Sequence, residues 1–353
     1  MKIVHTEASI GWGGQEIRIL LETLEMRKLG HDVQVICDPT AQMVKRAKAY
    51  GIKPYTVDLR KKSLKYIRPL AKLLQELGPD VVNTHSSNDA WLSSLAKYWM
   101  KSKPTLIRTR HVSAPVRSNL ATRWMYSRAH AGTATTGDAI SRHLVDDLRI
   151  DSDKVRTIPT GVDTNTFAPS TSRSFDKNIG IVATLRSWKG HKYLFEALAC
   201  LDDDWTLAVV GDGPQEDALK TLARELGIES RVHFHGYLSD VSQIFKTIDI
   251  FCLPSYANEG VPQALLQACA TQLPIVTTNV GGIPDLIQHE ANGLIVEAQN
   301  ATAIAAAVQR FGEDAELRAR LGKAARKNVV ENHGLSQMAR KMEALYLQAQ
   351  ERH

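Results

Sequence analysis

Apolar positions along this chain follow two alternating rhythms. Short β-branched runs, "KIVHTE", "DVQVIC", "DVVNTHS", "TLIRTRH" and "AGTATTG", are separated by longer stretches in which apolar residues recur every three or four positions. The runs predict strands, because branched side chains suit a pleated surface, and the longer stretches predict helices. In "GQEIRILLETLEMRKLG", Ile17, Leu20, Leu21 and Leu24 lie at offsets of three, four and seven, which is one helical stripe. "SLKYIRPLAKLLQELG" and "DAWLSSLAKYWMKS" read as the next helices, and Gly30 and Gly78 stand where a helix commonly ends on glycine. Strand and helix in alternation predict an α/β fold with a parallel, doubly wound sheet.

The rhythm breaks at residues 155–178, "VRTIPTGVDTNTFAPSTSRSFDKN", a stretch rich in Pro, Thr, Ser and Asn that reads as a connector. It then restarts. "NIGIVATL", "TLAVVG", "RVHFHG", "DIFCLPS", "PIVTTN" and "GLIVEA" predict strands, while "GHKYLFEALACL", "QEDALKTLARELG", "SDVSQIFKTI" and "VPQALLQACATQ" predict helices. The chain therefore divides into residues 1–165, residues 166–335 and a helical tail, 336–353. Open sheets of this kind bind ligands beyond the carboxyl ends of their strands, so two of them predict a ligand cleft.

A length of 353 residues with 43% hydrophobic and 23% charged residues is that of an ordinary two-domain globular protein. The four cysteines, Cys37, Cys200, Cys252 and Cys269, are scattered without a CxxC pair, as expected of buried thiols in a reducing cytosol. The opening "MKIVHTEASI" enters a strand directly and lacks the pattern of a signal peptide, and no run of about 18 apolar residues predicts a membrane span. Charge does change the picture. Residues 1–165 carry 26 Lys and Arg against 16 Asp and Glu, whereas residues 166–353 carry 18 against 22. A basic first half points to an anionic partner, a lipid headgroup or nucleic acid, unless the asymmetry is only a solvated surface.

The candidate chemistry lies at strand ends. "GWGG", Gly11 to Gly14, follows the first strand and opens the first helix, where glycines let backbone N–H groups approach an anion. Its spacing is not GxGxxG, which argues against a dinucleotide-dependent dehydrogenase. "GDGP", with Gly211, occupies another strand-to-helix turn; alone it reads as a tight structural turn, and together with the other motifs Gly211 is expected at the donor. In "VATLRSWKGHKYL", Arg186 and Lys189 stand beside a helix start, and on a strand Thr184 and Arg186 would share a face. In "ANEGVPQALLQACA", Glu259 precedes Gly260, Val261 and Pro262, with Pro262 suited to a first helical turn and Gln267 inside the helix. A guanidinium, an ammonium and helix N-terminal N–H groups can together stabilise a leaving nucleoside diphosphate without a metal, and Glu259 can accept from sugar hydroxyls. "DSD" at 151–153 and "DDD" at 202–204 read as solvated turns rather than metal sites.

In order and spacing, "WGGQE", "TRH", "IPTGVDTNTFAP", "LRSWKGH", "VVGDGP", "HFHGYLSDV" and "FCLPSYANEGVPQALLQACA" resemble glycosyltransferase family four (group 1), whose members are retaining enzymes of the GT-B fold. The resemblance covers nearly the whole chain. It implies two Rossmann-like domains facing a cleft, acceptor on the first and nucleotide sugar on the second, with the last helix crossing back. It implies metal-independent transfer from a UDP-, GDP- or ADP-sugar with no cofactor. By position, Gly13 and Gly14 match the family's glycine loop, His111 a histidine near the donor sugar, Lys189 the phosphate-binding lysine and Glu259 the first acid of an E-x7-E motif. Gly236, Tyr237 and Leu238 are expected near the nucleotide base. Gln267 stands where the second acid belongs, and Thr184 where an arginine belongs, with Arg186 as its replacement. His85 closes another strand and is expected on the acceptor side, unless it is purely structural.

The implied function is hexosyl transfer to a glycan or lipid-linked acceptor in bacterial surface polysaccharide or lipopolysaccharide synthesis. The location would be cytoplasmic, peripheral on the inner face of the membrane. "LRKKSLKYIRPLAKLL" and "PVRSNLATRWMYSR", which mix basic and aromatic residues, would rest on anionic lipid, and no nucleic-acid partner is expected. The alternatives are an epimerase or phosphorylase of like fold, or a sugar-nucleotide-binding protein without turnover.

Overall fold

The computed structural model describes the chain except residues 112–115, 117, 171–173 and 353. Two compact units form, Met1–Thr160 together with Leu335–His353, and Gly161–Gly334. The first holds a parallel sheet of seven strands: β1 (Lys2–Glu7), β2 (Asp32–Cys37), β3 (Tyr55–Thr56), β4 (Val81–Thr84), β5 (Thr105–Arg110), β6 (Gly132–Thr135) and β7 (Val155–Thr157). Their order is β3-β2-β1-β4-β5-β6-β7. The second holds β8 (Asn178–Val182), β9 (Thr206–Val210), β10 (Val232–Gly236), β11 (Ile250–Leu253), β12 (Ile275–Thr278) and β13 (Leu294–Val296), in the order β10-β9-β8-β11-β12-β13. Each order reverses once, between β1 and β4 and between β8 and β11, and such switch points are where open α/β sheets take ligands.

The central strands are buried along their length, as expected of sheets covered on both faces. Two edge strands escape the apolar pattern. Tyr55 and Thr56 of β3 are both exposed, and β7 lies inside the stretch read as a connector. Edge strands need no alternation to hold two or three ladder bonds, so no period marks them. Ile158 packs in the first core, and from Gly161 the chain joins the second unit: Val162 N–H donates to His333 O at 2.8 Å, and Phe167 packs in the second core.

The helix Gly14–Lys28 departs from its expected stripe. Ile17, Leu21 and Leu24 are only half-buried, while Arg18, Ile19, Glu22, Thr23 and Met26 are buried. The reason is the terminal helix Leu335–Glu351, which packs against this helix, β5 and β6. Met338, Met342, Leu345 and Tyr346 form one core with Ile3, Met26, Val33, Val81 and Ile107, so the tail is part of the first unit. Cys37, Cys252 and Cys269 are buried, but Cys200, at the end of the helix His191–Ala199, is exposed. Among the described residues, no helix is long and apolar enough to cross a membrane.

Candidate active site

In the second unit, the loops after β8 and β11 meet at the switch point. Lys189 ends a short 3-10 turn, Ser187–Lys189, after β8. Glu259 follows β11 on a loop where Asn258 takes a left-handed φ of 58°. Lys189 Nζ donates to Glu259 Oε1 at 2.6 Å, and Ser255 Oγ donates to the same oxygen at 2.6 Å. Side-chain exposure is 18% for the lysine and 5% for the glutamate, so this charge-assisted bond is sheltered from water. Tyr256 N–H donates to Trp188 O at 2.9 Å and ties the loops together. Two glycines make the approach possible. A Cβ on Gly190 would lie 2.0 Å from Pro254 O, and one on Gly281 2.0 Å from Glu259 O, both at positive φ.

Pro262 is the N-cap of the helix Gln263–Ala270, one residue before the first turn expected for it, so the missing N–H still costs nothing. The first N–H groups of that helix open beside Gly260 and Val261. Gln267 lies four residues into the helix and is 9% exposed. Gly236 ends β10, and exposed Tyr237 and half-buried Leu238 follow it, so the donor residues expected in this unit lie at or after carboxyl ends of its strands or on the helix after β11.

Two expectations change here. β8 ends at Val182, before Thr184, so strand alternation does not set where Arg186 points. Its N–H turns back to Thr184 O at 2.8 Å, and its guanidinium lies exposed 5.3 Å over the Trp188 ring, without an ion pair to Glu259. Gly211 donates its N–H to Gly236 O at 2.8 Å, and a Cβ there would meet Ala183 O at 2.0 Å. It lets the β8 and β9 turns touch rather than offering an N–H to a ligand. The aspartates of "DSD" and "DDD" are exposed, with Asp151 capping a 3-10 turn.

In the first unit, the carboxyl ends of β1, β4 and β5 gather a buried polar cluster. His85 Nδ1 bonds His111 Nε2 at 2.8 Å, and His85 Nε2 bonds His5 Nδ1 at 2.9 Å. Exposure falls inward, from 9% at His111 to 3% at His85 and none at His5. Burial, with the cationic Arg18 and Arg108, holds His85 and His111 well below the usual imidazole range. Asp89 Oδ2 accepts from His85 N–H and Thr6 Oγ1 at 2.8 Å each, which fixes the backbone under His85.

Glu7 ends β1 beside the "GWGG" loop and accepts from Ser9 N–H at 2.6 Å and from Gln15 and Ser86. Burial, then the charges of Asp89 and Glu16, raise its pKa to about 8. Gly13 caps the helix Gly14–Lys28 in extended backbone, and a Cβ there would meet nothing closer than 3.8 Å. The fold itself does not demand that glycine, unlike Gly190, Gly211 or Gly281. Glu7, Asp89, His5 and Glu22 were not foreseen. Only their position at or near strand ends marks the first three, and Glu22 looks like any polar helix residue.

Two Rossmann-like units, each with candidate side chains gathered at a switch point, define a GT-B glycosyltransferase fold. A model described as glycosyl transferases group 1 matches residues 163–328, and one described as glycosyltransferase family 4 matches residues 12–166. Together they span most of the chain, which belongs to this glycosyltransferase family. An uncharacterized glycosyltransferase of Haemophilus influenzae is 37% identical over 153 residues, 42% of this chain and 43% of the relative's length. The UDP-Gal:alpha-D-GlcNAc-diphosphoundecaprenol alpha-1,3-galactosyltransferase of Escherichia coli is 28% identical over 311 residues, 81% of this chain and 80% of its own. The crystal structure of Anabaena HepE in complex with UDP-glucose superposes with a TM-score of 0.86 at 18% identity, over 98% of each chain.

Proposed function

We propose that the protein is a retaining, metal-independent hexosyltransferase that uses a nucleoside-diphosphate sugar. The observation that carries this reading is the sheltered Lys189–Glu259 pair at the β8/β11 switch point. In this reading the diphosphate takes the Lys189 ammonium and the N–H groups at the Gln263–Ala270 helix start, and Glu259 is released to bind sugar hydroxyls. The sugar C1–O bond breaks, and the leaving phosphate oxygen takes the proton of the acceptor hydroxyl. That hydroxyl oxygen bonds C1 on the face the phosphate left, so configuration is retained. His111 orients the sugar, and His85 serves the acceptor side by holding His111. Gln267 takes the ribose as an amide in place of a carboxylate. Gly13 and Gly14 lie against the phosphates, and Gly236 to Leu238 against the base. A UDP-sugar is the first donor to test, since the E. coli relative's name gives one and the Anabaena structure holds one.

The assay is nucleoside diphosphate release from UDP-, GDP- and ADP-sugars with and without acceptor. Acceptor-dependent release is expected, falling about a hundredfold or more in Lys189→Ala and Glu259→Ala. Wild-type rates in either variant would overturn the assignment of the pair. Tight donor binding without release for any acceptor would favour a binding protein.

The acceptor we propose is lipid-linked, in bacterial surface polysaccharide or lipopolysaccharide synthesis, with the enzyme on the inner face of the membrane. The E. coli relative's name carries a diphosphoundecaprenol acceptor. A surface of the first unit supports the reading. Lys62 lies 5.6 Å over Trp91, which stacks on Trp124 at 5.8 Å. Leu64 is 74% and Leu120 86% exposed nearby in sequence, beside exposed Lys61, Lys65 and Arg123. Of the stretch 115–128, Pro115 and Arg117 lie outside the described residues. Exposed apolar side chains interleaved with cations along the sequence suit an anionic interface. Co-sedimentation with vesicles containing anionic lipid at low salt is expected, and Leu64→Asp with Leu120→Asp reduces it. Equal recovery in the supernatant with and without anionic lipid would remove the membrane from the account.

A further inference from the structure

The histidine chain has a direction. At each link the inner ring's Nδ1 faces the outer ring's Nε2: His5 Nδ1 to His85 Nε2, then His85 Nδ1 to His111 Nε2. The same atom pair therefore repeats, so the tautomer of one ring dictates that of the next. Burial and Arg18 keep His5 below its ordinary range despite Glu22, and the other two rings are neutral for the reasons given above. A neutral imidazole carries one N–H. Two arrangements of the chain remain: every proton on Nε2, or every proton on Nδ1.

The inner end distinguishes them. His5 Nε2 lies 3.9 Å from Glu22 Oε1. Glu22 Oε1 accepts from Tyr346 O–H at 2.7 Å, itself accepting from Asn83 Nδ2 at 2.8 Å, and Oε2 lies 3.7 Å from Arg18 Nε as an ion pair without a hydrogen bond. A carboxylate oxygen facing Nε2 favours a proton on that nitrogen and repels a lone pair.

We propose that Glu22 is a positioning residue whose carboxylate, through His5 and His85, sets His111 as its Nε2–H form and leaves Nδ1 as its hydrogen-bond acceptor. His85 Nδ1 then accepts from His111 and His5 Nδ1 accepts from His85, so both ring-to-ring bonds are made, while His5 Nε2–H faces Glu22 Oε1 at 3.9 Å without a hydrogen bond. The inference rests on the reading above for its purpose: a neutral His111 Nδ1 accepts a hydrogen bond from a sugar hydroxyl, and an N–H there would donate to the hydroxyl oxygen instead. No proton is transferred along the chain, and no bond is made or broken in it. Glu22 touches neither substrate nor reacting atoms.

The test is long-range ¹H–¹⁵N correlation on the full chain labelled with ¹⁵N-histidine and without substrate, with rings assigned through His5→Gln, His85→Gln and His111→Gln. Nε2–H is expected at all three rings of the wild type. An Nδ1–H form at His111 overturns the proposal, and this readout needs no variant at Glu22 to fold. In Glu22→Gln the carboxylate bias is gone, and His111 is expected to show mixed or Nδ1–H signals. An unchanged Nε2–H pattern in that folded variant also overturns it. Because the tautomers are read in the free protein, they decide the inference separately from catalysis. If they are as expected and His111→Gln retains wild-type turnover, the functional reading fails while the tautomer assignment stands.

Discussion

A carboxyl group buried beside other acids, as Glu7 is beside Asp89 and Glu16, keeps its proton to about pH 8. The folded protein then binds that proton more tightly than the unfolded chain, so stability falls as pH rises between the ordinary carboxyl range and about 8. Histidines act in the opposite sense. His130 and His191 are pushed down to about 3 by burial, so the stability they contribute is complete above about pH 6.5 and is lost as pH falls towards 3. Denaturation midpoints are therefore expected to peak near neutral pH and to decline from pH 7 to 8. That alkaline decline has a limiting slope of about 1.4 kcal/mol per pH unit for one group, and Glu7→Gln flattens it. A decline unchanged in the variant would contradict the protonated state assigned to Glu7. At this scale the sequence singles out Lys189, Glu259 and His111 as candidates, because each sits in a motif whose spacing is readable without the structure. It did not reveal Glu22 or His5. Their partners, Tyr346 and His85, are 324 and 80 residues away, and no local period records such distances. Arg186 was misplaced because strand alternation was carried past Val182, where the strand stops.

At the scale of elements, the candidate donor loops are held by backbone approaches that only glycine allows. Gly281, at φ 60°, would bring a Cβ within 2.0 Å of Glu259 O. Gly227, at φ 69°, has nothing within 4 Å of the same position. Both pay the left-handed backbone cost of a substituted alanine, roughly 1 kcal/mol, but only Gly281→Ala must also displace the glutamate. Gly281→Ala is expected to lower donor turnover tenfold or more, while Gly227→Ala lowers thermal stability alone. Equal turnover in the two variants would show that the Glu259 loop does not need its present position. Buried strands and glycine-terminated helices were legible because burial on both faces and left-handed helix ends each leave a composition behind. β3 and β7 were not, since edge strands of two and three residues carry no period. The stripe of the helix Gly14–Lys28 differs from expectation because its buried face carries Arg18, which donates to Ile158 O at 2.8 Å, and Glu22, which meets Tyr346 of the terminal helix and His5 of β1.

For the whole molecule, sequence rhythm announced two parallel sheets and a helical tail, and the tail's place in the first core followed from the family resemblance rather than from its own pattern. Its apolar residues, Met338, Met342, Leu345 and Tyr346, complete a core begun by residues more than 150 positions earlier. The division of labour proposed here gives the donor to Gly161–Gly334 and the acceptor to the unit that contains the histidine chain. That division makes a claim about location, and location can be measured. A crystal structure of the chain with UDP tests it most directly. The account predicts the diphosphate against Lys189 Nζ and the first N–H groups of the helix Gln263–Ala270, with the Lys189–Glu259 bond opened. A nucleotide seated away from the loops after β8 and β11, or a diphosphate bound with that ion pair intact and untouched, would contradict it.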